Sequence, residues 1–176
     1  MSATAIGPAL LTIEEYLHTS FRPDCDFVDG HIEERNAGDL LHSLLQVEVA
    51  FWFRSRQQEW HIRTMTKLRT RVSASRVRLL DVSVAYDDAA MSERIRATAP
   101  LIAIEILSPE DRLPRALVRL KDFLKMGIRN IWLLDPEERV AFLYSEAGLK
   151  RVETVRLEVA GTPIFMDLDQ VLTGLS

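Results

Sequence analysis

Two acidic residues lie within apolar segments and could bind a metal. Asp81 stands in LLDVSVAY and Glu105 in IAIEILSP, so each is a single carboxylate among apolar neighbours. An ionised carboxylate avoids such surroundings unless it binds a cation or meets a positively charged partner. Carboxylates on neighbouring strands can hold Mg²⁺ or Mn²⁺, as one or two ions, through their oxygen atoms. Because a bound metal can generate hydroxide and stabilise a leaving oxygen, the two acids predict phosphodiester hydrolysis.

Other charged side chains leave alternatives open around this pair. Either acid could instead lie at a strand end and pair with an arginine. The helix that follows the second acid carries Arg119, Lys121 and Lys125, which favours a site over that structural role. Glu48 lies in the apolar stripe of an earlier helix, where a carboxylate is costly unless it is paired or placed at a pocket. It is therefore either a residue of the same site or the partner of an arginine in segment 63–78.

Basic residues cluster in two regions. On the predicted strand Lys67–Val72, the side chains of Lys67, Arg69 and Arg71 share one face and could follow a phosphate backbone. A solvated edge strand, protected from aggregation by its charges, is the slightly favoured alternative. The first cluster consists of Arg54, Arg56, Arg63, Lys67, Arg69, Arg71, Arg76 and Arg78, and the second of Arg112, Arg115, Arg119, Lys121, Lys125 and Arg129.

A strand–helix–strand unit positions the second acid and the basic helix. A nearly all-apolar strand, Leu101–Leu107, precedes a helix, Leu113–Met126, and a short apolar strand, Asn130–Leu134. Gly127 is the expected C-terminal cap of this helix. The order predicts a right-handed βαβ crossover with parallel strands. The core stripe of the helix is expected to consist of Leu113, Leu117, Leu120 and Leu124. Further strands are predicted at His61–Met65, Lys67–Val72, Leu79–Tyr86, Val140–Tyr144 and Leu149–Val159, with a last helical turn near Leu168.

The N-terminal part predicts two helices and a hairpin. A short helix runs from Thr12 to about Ser20, because Thr12 and Glu15 have the spacing of a capping box. Asp29-Gly30 favours a type I′ turn, so a β-hairpin is expected over Cys25–Glu33. A longer helix is expected from about Asp39 to Gln58, and residues 1–11 are expected to form a loose arm. The apolar face of the longer helix is expected to consist of Leu41, Leu44, Leu45, Phe51 and Trp52.

Composition limits the class of protein. The chain has 176 residues, 47% of them hydrophobic, and a net charge of -4, so overall charge gives no argument for nucleic acid. Cys25 is the only cysteine, which excludes a disulfide within the chain and a Cys-rich zinc site. No secretory signal is apparent, and no apolar run approaches the ~20 residues that span a bilayer. A single domain in the cytoplasm, without membrane contact, is therefore expected.

The motifs resemble those of the Uma2 family. The segments IEILSPEDR and MGIRNIWLLDP are the most specific part, and the resemblance runs from TIEEYL through DFVDG to Tyr144. It implies an α/β restriction-endonuclease-like core, with a central mixed sheet flanked by helices and preceded by an N-terminal helix and hairpin, related to PD-(D/E)xK nucleases. Asp81 matches the family's metal-binding aspartate and Glu105 its second acid. His42 matches the family's helix histidine, and Asp26 stands where a hairpin glutamate is usual.

The chain departs from the family pattern in ways that bear on activity. Leu80 replaces the proline that usually precedes the aspartate, and the motif lysine would fall at Leu107. The family often supplies a lysine from the following helix, at the position of Arg119. An arginine can clamp a phosphate but cannot act as a general base. Lys121 lies nearby, on a different flank of the helix.

Two functions are consistent with these residues. The first is an Mg²⁺- or Mn²⁺-dependent DNA endonuclease, which by analogy with its fold would be a homodimer. In it Asp81 and Glu105 hold the metal, Arg119 or Lys121 stabilises the phosphate charge, and the pocket is lined by His42, Asp26 and Glu48. The second is a catalytically inactive relative that serves as a binding or regulatory module, which the loss of the motif lysine favours.

Overall fold

The helices and strands follow the predicted order closely. A computed structural model of the protein describes residues 10–35, 38–87, 95–109 and 113–175. Within these ranges the helices are α1 Ile13–His18, α2 Leu40–Arg54, α3 Gln57–Trp60, α4 Leu113–Met126 and α5 Leu168–Thr173. The strands are β1 Cys25–Val28, β2 His31–Glu34, β3 Ile62–Ser73, β4 Arg76–Tyr86, β5 Ile102–Ile106, β6 Asn130–Asp135, β7 Val140–Ser145, β8 Gly148–Arg151, β9 Arg156–Glu158 and β10 Phe165–Asp167.

One mixed sheet organises the described residues. Its strands follow the order β2-β1-β4-β5-β6-β7-β8, and β3 pairs with β4 outside this path. The β5–β6 pair is parallel and is connected through α4, which confirms the predicted parallel crossover. The neighbouring β4–β5 and β6–β7 pairs are antiparallel. The strand that carries Asp81 is therefore flanked by β3 and by the strand that carries Glu105.

Apolar cores lie on both sides of this sheet. On one side, Leu45 and Val49 of α2 pack with Val82, Ile104 and Trp132 of the sheet. On the other side, α4 packs through its own buried apolar residues onto the same central strands; the cluster contains Ala116, Leu120 and Phe123 with Ala103, Ile131 and Leu133. Burial of each large apolar side chain contributes about 1.5–3 kcal/mol, so both helices are held firmly against the strands that carry the two acids.

The predicted apolar face of α2 is wrong in part. Phe51 is 66% exposed and Leu44 is 37% exposed, while Val49 and Phe53 are buried instead. The helix also ends at Arg54 rather than near Gln58, because a separate short helix, α3, follows it. Apolar residues surround most of this helix, so periodicity alone does not select the side that faces the sheet.

Three other boundaries or faces differ from prediction. The two strands predicted between His61 and Val72 form the single strand β3. The predicted strand Leu149–Val159 divides into β8 and β9, and β9 pairs with β10 in a separate small sheet. On α4, Leu113 is exposed, whereas the charged residues Arg119 and Asp122 are buried with the apolar stripe. These two charged side chains face the sheet because they pair there with charged residues of the strands, Arg119 with Glu105 and Asp122 with Arg78.

The predictions of the first helix and of the hairpin that follows it are confirmed. Thr12 caps α1, where its side chain and that of Glu15 form the reciprocal bonds of a capping box. The hairpin β1–β2 turns at Asp29 and Gly30, whose φ angles of 50° and 92° match the left-handed requirement of a type I′ turn. Residues 1–9 of the predicted arm lie outside the described residues, but the backbone N–H of Leu11 donates to the carbonyl of Gly30 at 3.0 Å.

The α4 cap is confirmed as well, since Gly127 follows the helix with a φ of 99°.

In the described part of the chain, no helix is both long enough and apolar enough to cross a membrane. The expectation of a single domain stays a prediction.

Candidate active site

Strand register brings three charged side chains into one row. The β4–β5 register, which pairs Val82 with Ile104, sets Asp81 opposite Glu105. The β3–β4 register sets Lys67 opposite Asp81. Directly opposed residues have their Cβ atoms roughly 4.5–5.5 Å apart, so their side chains can interact. The row is thus lysine, aspartate and glutamate on three adjacent strands.

Lys67 has an unusual backbone conformation within this row. Its φ angle is 49°, in the left-handed region, although it stands in the middle of a long strand. Such conformations cost about 1–3 kcal/mol and cluster at functional sites. Its ammonium group donates to Asp81 Oδ1 at 2.5 Å, while 46% of the side chain remains exposed. Lys67 therefore connects the buried acid with solvent.

Asp81 is buried and surrounded by hydrogen-bond donors. Its Oδ1 accepts from Arg35 Nη2 at 2.9 Å as well as from Lys67, and its Oδ2 accepts from the backbone N–H of Ile106 at 3.0 Å. His42 Nε2 lies 3.4 Å from the same Oδ2. Burial disfavours the charged carboxylate, but Arg35, together with His42 and Lys67, outweighs it and holds the pKa of Asp81 well below its ordinary value. Asp81 is therefore ionised.

Glu105 is also buried but is less well compensated. Its Oε2 accepts from Arg119 Nε at 2.9 Å and from Arg35 Nη2 at 3.2 Å. Its Oε1 is buried and has no hydrogen-bond partner among the described residues. Burial raises the pKa of Glu105, and the negative charge of Asp81 adds to this, against the opposing effect of Arg35 and Arg119. A free, buried oxygen beside a second carboxylate is suited to receiving a cation.

A second charge network anchors the hairpin and α4 beside these acids. Arg78 is almost fully buried on β4 and donates to Asp26 Oδ2 at 3.0 Å and to Asp122 Oδ2 at 2.9 Å. Asp26 Oδ1 also accepts from the backbone N–H of Leu79 at 2.8 Å. Because Asp26 lies on β1 and Asp122 on α4, Arg78 connects two elements across the strand that carries Asp81.

The predicted site residues divide into two groups. His42 contacts Asp81 and Arg119 contacts Glu105, whereas Asp26 is linked to the two acids through Arg35, whose Nη1 lies 3.9 Å from Asp26 Oδ2. Lys121 is exposed on α4, because it lies two positions from the inward-facing Arg119 and so on another side of the helix. Glu48 is directed towards the C-terminal end of the chain, where a Cβ at Gly174 would meet its carboxyl carbon. The packing of α2 therefore does not bring Glu48 to the site.

Two site residues escaped prediction in this role. The sequence marks Lys67 only as part of a basic strand face. The other two residues of that face do not join the site, because Arg69 pairs with Asp24 and Arg71 donates to the carbonyl of Ala74. Arg35 was not singled out at all. No local sequence signal marks either residue, because each reaches Asp81 only through the pairing of distant segments.

An open pocket of about 450 Å³ lies beside the two acids and is lined by residues that contact them, among them Arg35, His42, Lys67 and Arg119. Five of its described lining residues are basic and three are acidic. The lining residues that carry or accept charge are Asp26, Glu33, Glu34, Arg35, His42, Lys67, Arg78, Arg115 and Arg119. A pocket that combines buried carboxylates with accessible cations suits an anionic substrate.

The donor set can be tested against a divalent metal. Within the described ranges, no group of three or more His, Cys, Asp or Glu side chains is arranged to hold a metal ion. Asp81 and Glu105 nevertheless offer oxygen ligands, which Mg²⁺ and Mn²⁺ prefer, and Mg²⁺ commonly uses only one or two protein carboxylates with water and phosphate. The unpartnered Oε1 of Glu105 is available to such an ion. The residues therefore fit a metal that takes most of its ligands from water and substrate.

A solved structure shares the fold of this chain. A nuclease from Anabaena variabilis, described as putative and as belonging to DUF820, is similar with a TM-score of 0.81 and 21% identity, over 94% of this chain and 99% of that chain. Part of a DrdV–DNA complex is similar with a TM-score of only 0.37 and 16% identity, over 64% of this chain and 12% of that chain. No curated protein is significantly similar.

The family comparison covers most of the chain. The Uma2 family, described as putative restriction endonuclease, matches residues 13–174. The central mixed sheet flanked by helices matches the nuclease fold of the Anabaena protein, which confirms the predicted restriction-endonuclease-like class. The chain is therefore a member of the Uma2 family.

Proposed function

We propose that this protein is an Mg²⁺- or Mn²⁺-dependent DNA endonuclease that hydrolyses phosphodiester bonds. The observation that carries the proposal is the pair of fully buried, directly opposed carboxylates of Asp81 and Glu105, with Lys67 completing the row. Family membership supports a nuclease. The open pocket, with accessible cations beside the carboxylates, supports a phosphate-bearing substrate.

Asp81 and Glu105 are the proposed metal ligands. A divalent metal supplies a hydroxide nucleophile and stabilises the leaving oxygen at a site of this kind. Arg119 of α4 holds Glu105 in place, because its Nε donates a hydrogen bond to Glu105 Oε2. His42 lies against Asp81 from α2, and Asp26 contributes through Arg35 and Arg78. These three residues orient the proposed ligands and shape the pocket.

Lys67 takes the role that the sequence assigned to Arg119 or Lys121. Its Nζ lies beside Asp81 and its stem is exposed to the pocket, so it can reach both the proposed ligand and a phosphate. A lysine can also give up a proton, which an arginine cannot. We assign to Lys67 the orientation and proton exchange of the attacking water and the stabilisation of the phosphate charge.

DNA and a second copy of the chain are the proposed partners. A DNA backbone would enter the pocket beside Lys67, which is half-exposed. A homodimer would place two such sites to cut two strands. The exposed apolar side of α2 provides a surface for the second copy. A cytoplasmic location is proposed on the single cysteine, which suits a reducing compartment.

The experiment that tests the proposal measures Mn²⁺ binding by calorimetry and cleavage of supercoiled, linear and single-stranded DNA. We expect saturable binding and cleavage by the wild type, and loss of both in the double variant Asp81→Asn, Glu105→Gln. Glu153→Gln removes a carboxylate in an exposed loop and is the matched control, with binding and cleavage unchanged. Wild-type protein that binds no Mn²⁺, with DNA also present, contradicts the proposal.

A catalytically inactive relative that acts as a binding module is the second candidate. The observation that favours it is Arg35, whose guanidinium already compensates Asp81 and Glu105 without any metal. Such a protein would bind DNA with an affinity independent of Mn²⁺ and EDTA. The same titrations distinguish the two, because the nuclease requires Mn²⁺ for cleavage and the binding module does not require it for binding.

A further inference from the structure

Arg35 follows β2 directly and places one nitrogen between the two proposed metal ligands. Its Nη2 lies 2.9 Å from Asp81 Oδ1 and 3.2 Å from Glu105 Oε2. Its Nη1 donates to the carbonyl of Leu79 at 2.7 Å and lies 3.9 Å from Asp26 Oδ2. One guanidinium thus contacts the carboxylates of three different strands.

The position of Nη2 is the position that a shared cation would need. A cation bound by both Asp81 and Glu105 must lie within contact of one oxygen of each, and Nη2 does so already. Two positive charges cannot share that position, because they repel each other at close range in a poorly solvated site. Arg35 and a bridging metal are therefore alternative occupants.

Arg35 differs in this respect from the other cations of the site. Arg119 contacts Glu105 from the helix side, through Nε on Oε2, and Lys67 contacts Asp81 from the pocket side, through Nζ on Oδ1. Each of these contacts involves a single carboxylate. Only Arg35, among the described cations, contacts both carboxylates with the same atom.

We propose that Arg35 competes with the divalent metal for the position between Asp81 and Glu105 and thereby sets the metal affinity of the site. This inference rests on the proposed function, since it takes the two acids as ligands. It makes Arg35 a determinant of affinity. Metal binding then requires the guanidinium to leave Asp81 and Glu105.

Calorimetry with Mn²⁺ alone, on wild type, Arg35→Gln and Arg115→Gln, tests the inference. We expect Arg35→Gln to bind Mn²⁺ about tenfold more tightly than the wild type, because the competing cation is gone. Arg115→Gln removes an exposed positive charge from the same pocket and is the matched control, with a change in Kd below about twofold. A gain of similar size in both variants would mean general electrostatics and would overturn the inference.

Thermal unfolding gives a second readout. In EDTA, Arg35→Gln should unfold at a lower Tm than the wild type, because the buried carboxylates lose a partner. Saturating Mn²⁺ should then raise its Tm by more than it raises that of the wild type. Equal Mn²⁺-induced shifts in the two proteins would contradict competition at this position.

Arg35→Lys covers the case in which the glutamine variant does not fold in EDTA. A lysine keeps the charge but cannot contact Asp81, Glu105 and the carbonyl of Leu79 together, so it should bind Mn²⁺ more tightly than the wild type and less tightly than Arg35→Gln. Wild-type or weaker binding by Arg35→Lys overturns the inference. Binding by the wild type with no gain in any Arg35 variant refutes the inference and leaves the metal site intact. Absence of binding in wild type and variants alike refutes the proposed function.

Discussion

Lys67 is the residue that we propose in place of the missing motif lysine. The position of the motif lysine is occupied by Leu107, yet Lys67 on the neighbouring strand reaches Asp81 through a backbone with a φ of 49°. The conformation is costly for a residue in a strand, and its side-chain contact with a buried carboxylate offsets that cost. At the residue scale, substitution of Lys67 is therefore the most direct test of activity.

Lys67→Met should lower the kcat/KM of DNA cleavage by about 10²–10⁴-fold, because both charge stabilisation and proton transfer are lost. Its Mn²⁺ binding should persist, since Asp81 and Glu105 remain. Plasmid cleavage and calorimetry measure the two effects separately. Lys67→Arg keeps only the charge and should recover little of the activity if proton transfer matters. Lys150→Met, at an exposed position of β8, is the control; cleavage by Lys67→Met at the control's rate would refute the role.

The opposite pKa shifts of the two acids predict opposite pH trends in stability. Glu105 has a raised pKa, so its contribution to stability is full below about pH 4.5, its unfolded value, and declines as pH rises through the folded pKa. Asp81 has a lowered pKa, so its contribution is full above about pH 3.8 and declines only as pH falls below it. The Tm of Glu105→Gln minus that of the wild type should therefore increase from pH 4.5 upwards. Thermal unfolding in EDTA measures it, and a constant difference would be contrary to the raised pKa.

At the scale of elements, buried charges fix α4 and the β1–β2 hairpin against the sheet. Arg78 of β4 pairs with Asp26 of β1 and with Asp122 of α4, and all three side chains are buried. Removing one member of such a network leaves its partners charged and less well compensated in a poorly solvated place. The network therefore holds α4, and with it Arg119, at the distance at which Arg119 contacts Glu105.

Asp122→Ala should lower the free energy of unfolding by about 3–5 kcal/mol, because Arg78 loses a buried partner. Lys121→Ala, at the neighbouring exposed position of the same helix, should change it by less than about 0.5 kcal/mol. Urea denaturation at neutral pH compares the two variants with the wild type. Similar stabilities for both variants would show that the network contributes little to the position of α4.

At the scale of the whole molecule, α2 presents an apolar stripe that the described chain leaves uncovered. The spacing of its members, every third or fourth residue, places them on one side of the helix. They are Leu40, Leu44, Val47 and Phe51, which are 72%, 37%, 62% and 66% exposed. Asp39 caps the N-terminus of this helix, and Arg54 is its last residue. We propose that two copies pair their α2 helices antiparallel about a two-fold axis, which would bring the Asp39 end of one helix to the Arg54 end of the other.

Val47→Glu should convert a homodimer into a monomer, because it places a charge at the centre of the stripe in both copies. Val155→Glu introduces the same charge at another exposed valine outside α2 and should leave the dimer intact. Size-exclusion chromatography with light scattering measures the mass of each variant. A wild-type protein that is monomeric at high concentration, or a dimer that persists in Val47→Glu, excludes this pairing.

The sequence by itself determined the features that depend on neighbouring residues. A carboxylate within an apolar strand is unusual at any position, so Asp81 and Glu105 were recognisable locally. The capping box at Thr12, the Asp29-Gly30 turn and the glycine after α4 are also local, because each depends on residues a few positions apart. The order of strand, helix and strand then predicted which two strands run parallel.

Only the tertiary structure decided which other residues join the two acids. Lys67 and Arg35 reach Asp81 from 14 and 46 positions away along the chain, through strand register and a connecting segment that no local pattern specifies. The buried side of α2 was predicted wrongly in part for a similar reason. Phe51 and Val49 are both apolar, and the sheet buries only one of them. Carboxylates in apolar strands are a property of sequence, whereas their cationic partners are set by how distant segments pack together.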